Sequence, residues 1–318
     1  MTESIDLVEG LKSFLIISRA KIQLGTPPHP LLGLILGATT LSQFFSSISL
    51  VYLALYFLLI TFACNINCLY DVKIDEKYKE HMSNAVRTLG KDKVKVFIIF
   101  EAVAILGLVS FLLYRGYYIT SLLSLSGLTF GYIYSAEPIR VKKRGFFSPL
   151  PVLIGLYTLP VLGGWFIFQN TLSLYIVVFC VGYALLNEGI TLVNTCEDYK
   201  EDMEEGIKTW AHIFNMKNTM RLAFIFTTFG GLLAIIGVIL KPLNMGWTFY
   251  STYSSILFIM MGIINTIMIL RIGGGIYEAG SKEDLEKSCK SAAKNMPKWF
   301  ISSRYPLVIM TLLLLVGM

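Results

Sequence analysis

Two sets of polar side chains have the same types and the same spacing in this chain, and each set ends a long apolar stretch. Each is one Asn followed by two Asp at intervals of four residues. The members are Asn67, Asp71 and Asp75 in the first set, and Asn194, Asp198 and Asp202 in the second. A helix turns residues i, i+4 and i+8 toward one side, so each set predicts a ladder of oxygen atoms roughly 12 Å long. We call these sets the first and second ladders.

Two such ladders meeting at a membrane surface indicate divalent cations that hold a diphosphate. Mg²⁺ prefers hard oxygen ligands, keeps several waters, and binds through a few carboxylates plus substrate phosphates. We therefore predict two Mg²⁺ ions with the diphosphate, for which Mn²⁺ can substitute, and all six ladder residues as metal ligands. The alternative is that the ladders are solvated acidic helix ends.

Basic side chains stand where they could contact such a diphosphate and stabilise its developing charge. A basic residue followed by Thr comes after each ladder, at Arg87 and at Lys208, and Arg140 and Lys142 follow Tyr134. We predict that the residues in contact with the diphosphate are Arg87, Arg140, Lys142, Lys208, Asn67 and Asn194. We predict that the catalytic residues are Asp71, Asp198, Arg140 and Tyr134.

Four other charged residues keep more than one interpretation. Arg19 and Lys21 precede the first apolar stretch, and they fit either the same cavity or snorkelling to the interface. Glu101 and Glu188 lie inside apolar stretches, where an ionisable residue is a functional candidate. The two interpretations of Glu188 are a residue that orients the hydroxyl group of an acceptor substrate and a neutral structural group.

The elements that must position these residues are membrane spans. The chain has 318 residues, of which 55% are hydrophobic and 15% charged, and its mean hydropathy is +0.65. This composition is typical of polytopic membrane proteins. Runs of roughly 17–25 apolar residues span a bilayer. The candidates are 24–42, 47–69, 95–114, 117–134, 149–168, 172–194, 219–240, 249–270 and 302–318.

The distribution of basic residues predicts the orientation of these spans. If the N-terminus is cytoplasmic and the spans alternate, only Arg115 and Lys241 of the 27 Lys and Arg residues lie outside. This is the positive-inside pattern. It predicts a multi-pass protein of the cell membrane, with the N-terminus cytoplasmic, the C-terminus outside and the active site toward the cytoplasmic face. The basic balance is thus a topology signal, so we expect no nucleic-acid partner, and no obligate protein partner is evident.

The spacing of the ladders predicts an internal duplication. They lie 127 residues apart (194 − 67), in the second and sixth spans. We therefore predict an all-α integral membrane fold, with nine transmembrane helices around a central cavity, built from two related four-helix halves plus a last helix. The single domain 1–318 would contain halves at about 1–147 and 148–270, a cytoplasmic amphipathic segment at 278–298 and the last helix at 302–318.

The two ladders and the segments Tyr134–Lys142 and Asp202–Thr209 resemble the motifs of the UbiA superfamily of intramembrane prenyltransferases. The resemblance covers essentially the whole chain. The chain departs from the family pattern at Cys68, where a further Asp is frequent, at Thr88, where Pro is usual, and at Pro138, where many relatives have Lys. The resemblance implies nine transmembrane helices around a cavity that opens laterally to lipid.

The resemblance also implies Mg²⁺-dependent transfer of an isoprenyl chain, with release of pyrophosphate. The donor would be a prenyl diphosphate such as geranyl or geranylgeranyl diphosphate, bound within the lipid bilayer. The acceptor would be lipophilic or aromatic, either a quinone precursor or the hydroxyl of a prenylglyceryl phosphate.

Two other functions compete with this interpretation. A cation-coupled transporter usually has its ionisable residues near the bilayer midplane, whereas the ladders lie at helix ends. A membrane phosphotransferase of the CDP-alcohol type also uses Asp and Mg²⁺, but its Asp-Gly motif is absent from this sequence.

Overall fold

A computed structural model describes residues 7–245, 280–294 and 296–316, together with a few single positions between 252 and 263. These residues are mostly helical and include no β-strand, apart from an isolated bridge between Arg144 and Lys208. The prediction of an all-α membrane fold is therefore confirmed.

The helices of the described residues are numbered here in chain order. They are α1 (Leu7–Ile17), α2 (Ala20–Gln23), α3 (Pro28–Gly37), α4 (Leu41–Phe44), α5 (Ser47–Tyr78), α6 (Glu80–Leu89), α7 (Lys91–Tyr114), α8 (Tyr118–Ser135), α9 (Leu159–Trp165), α10 (Leu174–Glu197), α11 (Tyr199–Glu204), α12 (Trp210–Phe214), α13 (Met216–Met245), α14 (Lys282–Lys294) and α15 (Met296–Val316). Between α8 and α9 lie two 3₁₀ turns, Val141–Lys143 and Gly145–Phe147, and a π-helical segment, Val152–Thr158.

Six helical stretches of the described residues are long and apolar enough to cross a membrane. They are Ser47–Tyr78, Lys91–Tyr114, Gly145–Trp165, Leu174–Glu197, Met216–Leu243 and Lys298–Val316. These stretches coincide with the predicted spans two, three, five, six, seven and nine. The chain is therefore a multi-pass membrane protein.

The other three predicted spans leave the number nine unconfirmed. In place of the first span, 24–42, the structure has α3, whose ten residues rise only about 15 Å and are nearly all buried. The prolines at its N-terminus fit the first turn of a helix, but they disfavour a helix that begins earlier in the chain. Helix α8 occupies the fourth predicted span. The eighth, 249–270, lies outside the described residues except for single positions.

The second ladder is positioned by a close crossing of two helices, α10 and α13. Where α10 crosses α13, a Cβ on Gly182 would lie 2.2 Å from the backbone nitrogen of Ala234, and one on Gly230 would lie 2.3 Å from that of Leu186. Small residues at such a crossing let the two backbones touch, which is how membrane helices without a hydrophobic driving force associate. The packing holds α10 in one place.

Part of the predicted amphipathic segment 278–298 is the helix α14. Its Cys289 is fully buried, and Leu285 packs beside it against the end of α10 and the start of α13. Lys200 also forms an ion pair of 2.7 Å with Glu286 of α14. Helix α14 therefore packs on the helix bundle.

The helices that carry the ladders also contribute matched aromatic residues to the bundle. Tyr56 on α5 and Tyr183 on α10 are 127 residues apart, which is the spacing of the ladders. Both pack against the buried ring of His29, with centroid distances of 6.2 and 5.6 Å. The matched positions support the proposed duplication of the halves 1–147 and 148–270.

Candidate active site

The first ladder lies on one uninterrupted helix. The 32 residues of α5 span about 48 Å, well beyond the roughly 30 Å of a bilayer core, so the last turns can extend into the membrane interface. Asn67 donates its amide to Asp71 at 2.9 Å and to the hydroxyl of Ser135 at 2.9 Å. Asp71 and Asp75 are both buried, with 7% and 6% exposure. The predicted single-helix ladder is present here.

The second ladder begins in the same way but crosses a helix end. Asn194 donates its amide to Asp198 at 2.9 Å, which repeats the Asn67–Asp71 contact. Helix α10 ends at Glu197, Asp198 is its C-cap, and Asp202 lies on the short helix α11. The backbone N–H of Asp202 still donates to the carbonyl of Asp198 at 2.9 Å, so the helical spacing survives the break.

One cavity of about 930 Å³ joins the two ladders. All six ladder residues line it, and so do Tyr134 and Lys142. The rest of the wall is largely apolar and aromatic, with contributions from Tyr52, Tyr56, Leu59, Leu123, Phe130, Leu156 and Leu159. The cavity thus combines an acidic and basic end with an apolar body, a pattern that suits a ligand with an anionic head and a hydrocarbon tail.

Two of the predicted basic residues hold the first ladder directly. Arg140 donates to Asp71 at 2.7 Å, and the ammonium group of Lys142 also bonds to Asp71. Arg140 has left-handed backbone angles, with φ 39°, and its guanidinium also bonds to Glu137 at 3.0 Å. Burial lowers the pKa of Lys142, although the Asp71 carboxylate opposes that shift. Asp71 is therefore neutralised from two sides.

Arg140 is not itself among the residues that line the cavity, whereas three further Lys and Arg residues, Arg19, Lys21 and Lys79, do line it. Lys79 was missed from the sequence. Arg19, which had two interpretations, lines the cavity and donates to Asn67 at 2.5 Å. Lys79 also lines it, 3.6 Å from Asp198 of the second ladder. The signal for Lys79 was present, because it stands four residues after Asp75 and so continues the i, i+4 series of the first ladder.

The other two predicted basic residues lie elsewhere. Arg87 does not line the cavity, and its guanidinium forms an ion pair with Glu76 in which both side chains are about half exposed. Lys208 is exposed and is also absent from the lining; its backbone carbonyl accepts a hydrogen bond of 3.0 Å from Gly145. The structure therefore brings together Arg140 and Lys142 but does not bring Arg87 and Lys208 to the ladders.

The ladder residues suit a divalent cation that a substrate helps to hold. Within the described ranges, no three His, Cys, Asp or Glu side chains stand close enough to form a complete metal cage. However, Asp75 has a buried carboxylate oxygen without a hydrogen-bond partner in those same ranges. Burial and the neighbouring Asp198 carboxylate raise the pKa of Asp202 to about 7. Hard oxygen donors with unbalanced charge fit Mg²⁺, which takes few protein ligands when phosphates supply the rest.

Comparison with known proteins gives a family for this arrangement. The model of the UbiA prenyltransferase family matches residues 30–272, which is most of the chain. A search among curated protein sequences gives no match.

Several solved structures share the fold at low sequence identity. A UbiA homologue from Archaeoglobus fulgidus bound to GPP and Mg²⁺ is 16% identical, with a TM-score of 0.65 over 92% of this chain and 99% of that one. A digeranylgeranylglyceryl phosphate synthase is 18% identical, with a TM-score of 0.59 over 95% and 99%. The apo structure of a UbiA homologue from Aeropyrum pernix K1 is 14% identical, with a TM-score of 0.59 over 90% and 96%.

The match to the family model covers both ladders, Tyr134 and the basic segment that holds Asp71. The solved structures agree with it in fold along nearly the whole length of the chain. This chain belongs to the UbiA prenyltransferase family and is a multi-pass membrane prenyltransferase.

Proposed function

We propose that the protein transfers an isoprenyl chain from an allylic prenyl diphosphate, such as geranyl or geranylgeranyl diphosphate, to a lipophilic or aromatic acceptor. The observation that carries this proposal is the single cavity lined by all six ladder residues and by an apolar body. The family assignment leaves no role for the transporter and phosphotransferase alternatives. Similar folds bound to GPP and Mg²⁺, and to DMAPP and Mg²⁺, support the class of donor and the metal.

The proposed donor site lies between the two ladders. Asn67, Asp71, Asp75, Asn194, Asp198 and Asp202 would hold two Mg²⁺ ions, or Mn²⁺ in their place. Bound Mg²⁺ would neutralise the diphosphate and stabilise the charge of the departing pyrophosphate. Lys142, Arg140, Arg19 and Lys79 are the basic residues within reach of the ladders, and they would donate to the phosphate oxygens that the cations leave free.

The proposed reaction takes place at the boundary between the polar end and the apolar body. When the allylic C–O bond breaks, the electron pair leaves with the pyrophosphate and the prenyl group becomes a carbocation. Tyr134 lies at this boundary and would face the reacting carbon with its electron-rich ring. The apolar wall would hold the tail and exclude water, so that the acceptor rather than water captures the cation. The proton that the acceptor loses as the new bond forms would pass to the released pyrophosphate.

The proposed orientation follows from the charges. The N-terminus would be cytoplasmic, the C-terminus outside, and the ladders toward the cytoplasmic face of the cell membrane. The acceptor would be either an aromatic quinone precursor or a prenylglyceryl phosphate.

The test is prenyl transfer by purified protein in lipid nanodiscs. The protein is incubated with Mg²⁺, geranylgeranyl diphosphate and, in turn, 4-hydroxybenzoate, 1,4-dihydroxy-2-naphthoate and geranylgeranylglyceryl phosphate. We expect pyrophosphate release and a prenylated product with one acceptor, and no release after chelation of the metal. Absence of product with all three, together with absence of Mg²⁺-dependent donor binding, would contradict the proposal.

A further inference from the structure

Glu188 is a buried carboxyl in the wall of the cavity, away from the ladders. It lies on α10, ten residues before Asp198, so it is about 15 Å deeper along the helix. Only 1% of the residue is exposed, and it lines the cavity on the same side of α10 as Thr191 and Thr195. The mechanism of donor binding does not use it.

The carboxyl of Glu188 has no partner among the described residues. Both of its oxygens are buried, and neither takes part in a hydrogen bond there. Leaving a buried polar group without a hydrogen-bond partner is unfavourable, and more so for a charged group. An unsatisfied carboxyl in the wall of a substrate cavity is therefore a site for a hydrogen-bond donor that the substrate brings.

Glu101 shows what a structural carboxyl looks like in the same bundle. It is also buried, at 4% exposure, and it lies within the membrane-spanning helix α7. However, one of its oxygens accepts a hydrogen bond of 2.7 Å from the amide of Asn65, while the other has no partner among the described residues, and Glu101 does not line the cavity. The contrast assigns the structural role to Glu101 and leaves Glu188 for a ligand.

The surroundings of Glu188 select the kind of group that it can bind. One turn further along α10, Thr191 forms a hydrogen bond of 2.7 Å with the hydroxyl of Tyr157, so this part of the wall is neutral and hydroxyl-lined. The guanidinium of Arg304 donates to Asn187 at 2.6 Å and to the carbonyl of Gly25 at 2.7 Å, and Arg304 is not among the residues that line the cavity. A phosphate or carboxylate would lack a positive partner here, whereas a hydroxyl would find an acceptor.

We propose that Glu188 binds the hydroxyl group of the prenyl acceptor and so selects acceptors that carry a free hydroxyl in the apolar part of the cavity. This inference rests on the proposed prenyl transfer and deepens it. Any anionic group of the same acceptor would face the basic end, where Arg19, Lys79 and Lys142 line the cavity. Glu188 thus determines which acceptor is bound, whereas the ladders bind the prenyl donor.

The experiment compares Glu188→Gln with Glu101→Gln, which makes the same substitution at a carboxyl that already has a protein partner. For the acceptor that the wild-type protein prenylates, KM and kcat are measured in nanodiscs, along with Mg²⁺-dependent binding of geranylgeranyl diphosphate. We expect E188Q to raise the acceptor KM roughly tenfold, because the amide that replaces the carboxyl is a weaker partner for the acceptor hydroxyl. Donor binding should be unchanged in both variants, and E101Q should keep the wild-type acceptor KM.

A second arm uses the methyl ether of that acceptor as a competitive inhibitor. The wild-type protein should bind the ether at least tenfold more weakly than the free hydroxyl compound, because the ether leaves the carboxyl unpaired. In E188Q this preference should fall to about a few fold.

The outcomes separate the two proposals. If the wild-type protein prenylates an acceptor and E188Q keeps both the acceptor KM and the preference over the ether, the role of Glu188 is overturned alone. If E101Q raises the acceptor KM as much as E188Q does, the change comes from replacing any buried carboxyl in the bundle, and the proposed contact between Glu188 and the acceptor is overturned. If the wild-type protein neither transfers a prenyl group nor binds the donor, both proposals fail together.

Discussion

The two ladders have the same sequence pattern, but their middle aspartates, Asp71 and Asp198, differ in how far basic residues balance their charge. In the first, Asp71 is bonded to Arg140 and Lys142, so its charge is balanced within the protein. In the second, Asp198 faces a single ammonium group, that of Lys79, at 3.6 Å, and Glu197 and Glu201 add further acid. Burial, and then the neighbouring carboxylates of Asp198 and Glu201, raise the pKa of Asp202 to about 7. We infer that both ladders hold cations but contribute unequally: the second supplies more of the charge that attracts them, and the first also positions basic groups for the phosphates.

The largest effect is expected from the carboxylates themselves. Asp198→Asn removes a predicted metal ligand from the ladder with unbalanced charge, and Asp71→Asn removes the group that holds Arg140 and Lys142. Each should lower prenyl transfer on the order of a thousandfold, measured as pyrophosphate release. D198N should also raise the Mg²⁺ concentration needed for half-maximal rate more than D71N does. Equal shifts in both variants would contradict the division of roles.

The next largest effect should come from the basic groups on Asp71. Lys142→Met and Arg140→Met each remove a phosphate donor, and we expect kcat to fall on the order of a hundredfold with little change in the Mg²⁺ requirement. The measurement is kcat at saturating and at limiting Mg²⁺. A fall in rate that excess Mg²⁺ restores would assign these residues to metal binding instead.

A smaller effect should distinguish Lys79 from Arg87. Lys79 lines the cavity beside Asp198, whereas Arg87 forms a half-exposed pair with Glu76 outside it. We expect Lys79→Met to lower kcat/KM for the donor roughly tenfold and Arg87→Met to change it about twofold at most. A larger loss in R87M than in K79M would contradict the assignment of Lys79, rather than Arg87, to the donor site.

The smallest effect on chemistry, but a measurable one on stability, should come from the packing behind the second ladder. A Cβ at Gly230 would lie 2.3 Å from the backbone nitrogen of Leu186, whereas one at Gly231 would meet only a side-chain methyl of Leu186 at 3.9 Å. Gly230→Ala should therefore cost about 1–3 kcal/mol in the free energy of unfolding, and Gly231→Ala should be tolerated. Thermal unfolding in detergent compares them, and equal melting temperatures would contradict the close crossing of α10 and α13.

The sequence predicts the parts of this molecule that depend on local periodicity. The helical spacing of Asn67, Asp71 and Asp75 follows directly on the apolar residues of α5, and the sequence therefore predicts that the first ladder lies on one helix. The end of α10 at Asp198 has no comparable local signal, since nothing before Glu197 marks a helix terminus. The first span was predicted too long, because apolar composition extends beyond the ten residues that α3 contains.

The basic residues show where sequence order fails. The order of residues along the chain predicts Arg87 and Lys208 at the site, because each follows a ladder. In the structure, Arg87 on α6 pairs with Glu76 instead. The backbone of Lys208 pairs with Arg144 and Gly145, and its side chain is exposed. Arg140 reaches Asp71 across 69 positions of sequence. Such contacts depend on loop geometry and on helix packing, which no spacing within one segment encodes.

The central claim is that both ladders hold one prenyl diphosphate through divalent cations. Its most direct test is calorimetric titration with an unreactive analogue of geranylgeranyl diphosphate, which keeps the charged diphosphate but cannot lose it. The analogue is titrated into the wild-type protein, D71N and D198N, with and without Mg²⁺. We predict binding to the wild-type protein only when Mg²⁺ is present, and loss of that binding in each variant. Binding that needs no Mg²⁺, or that survives in D198N, would contradict the claim.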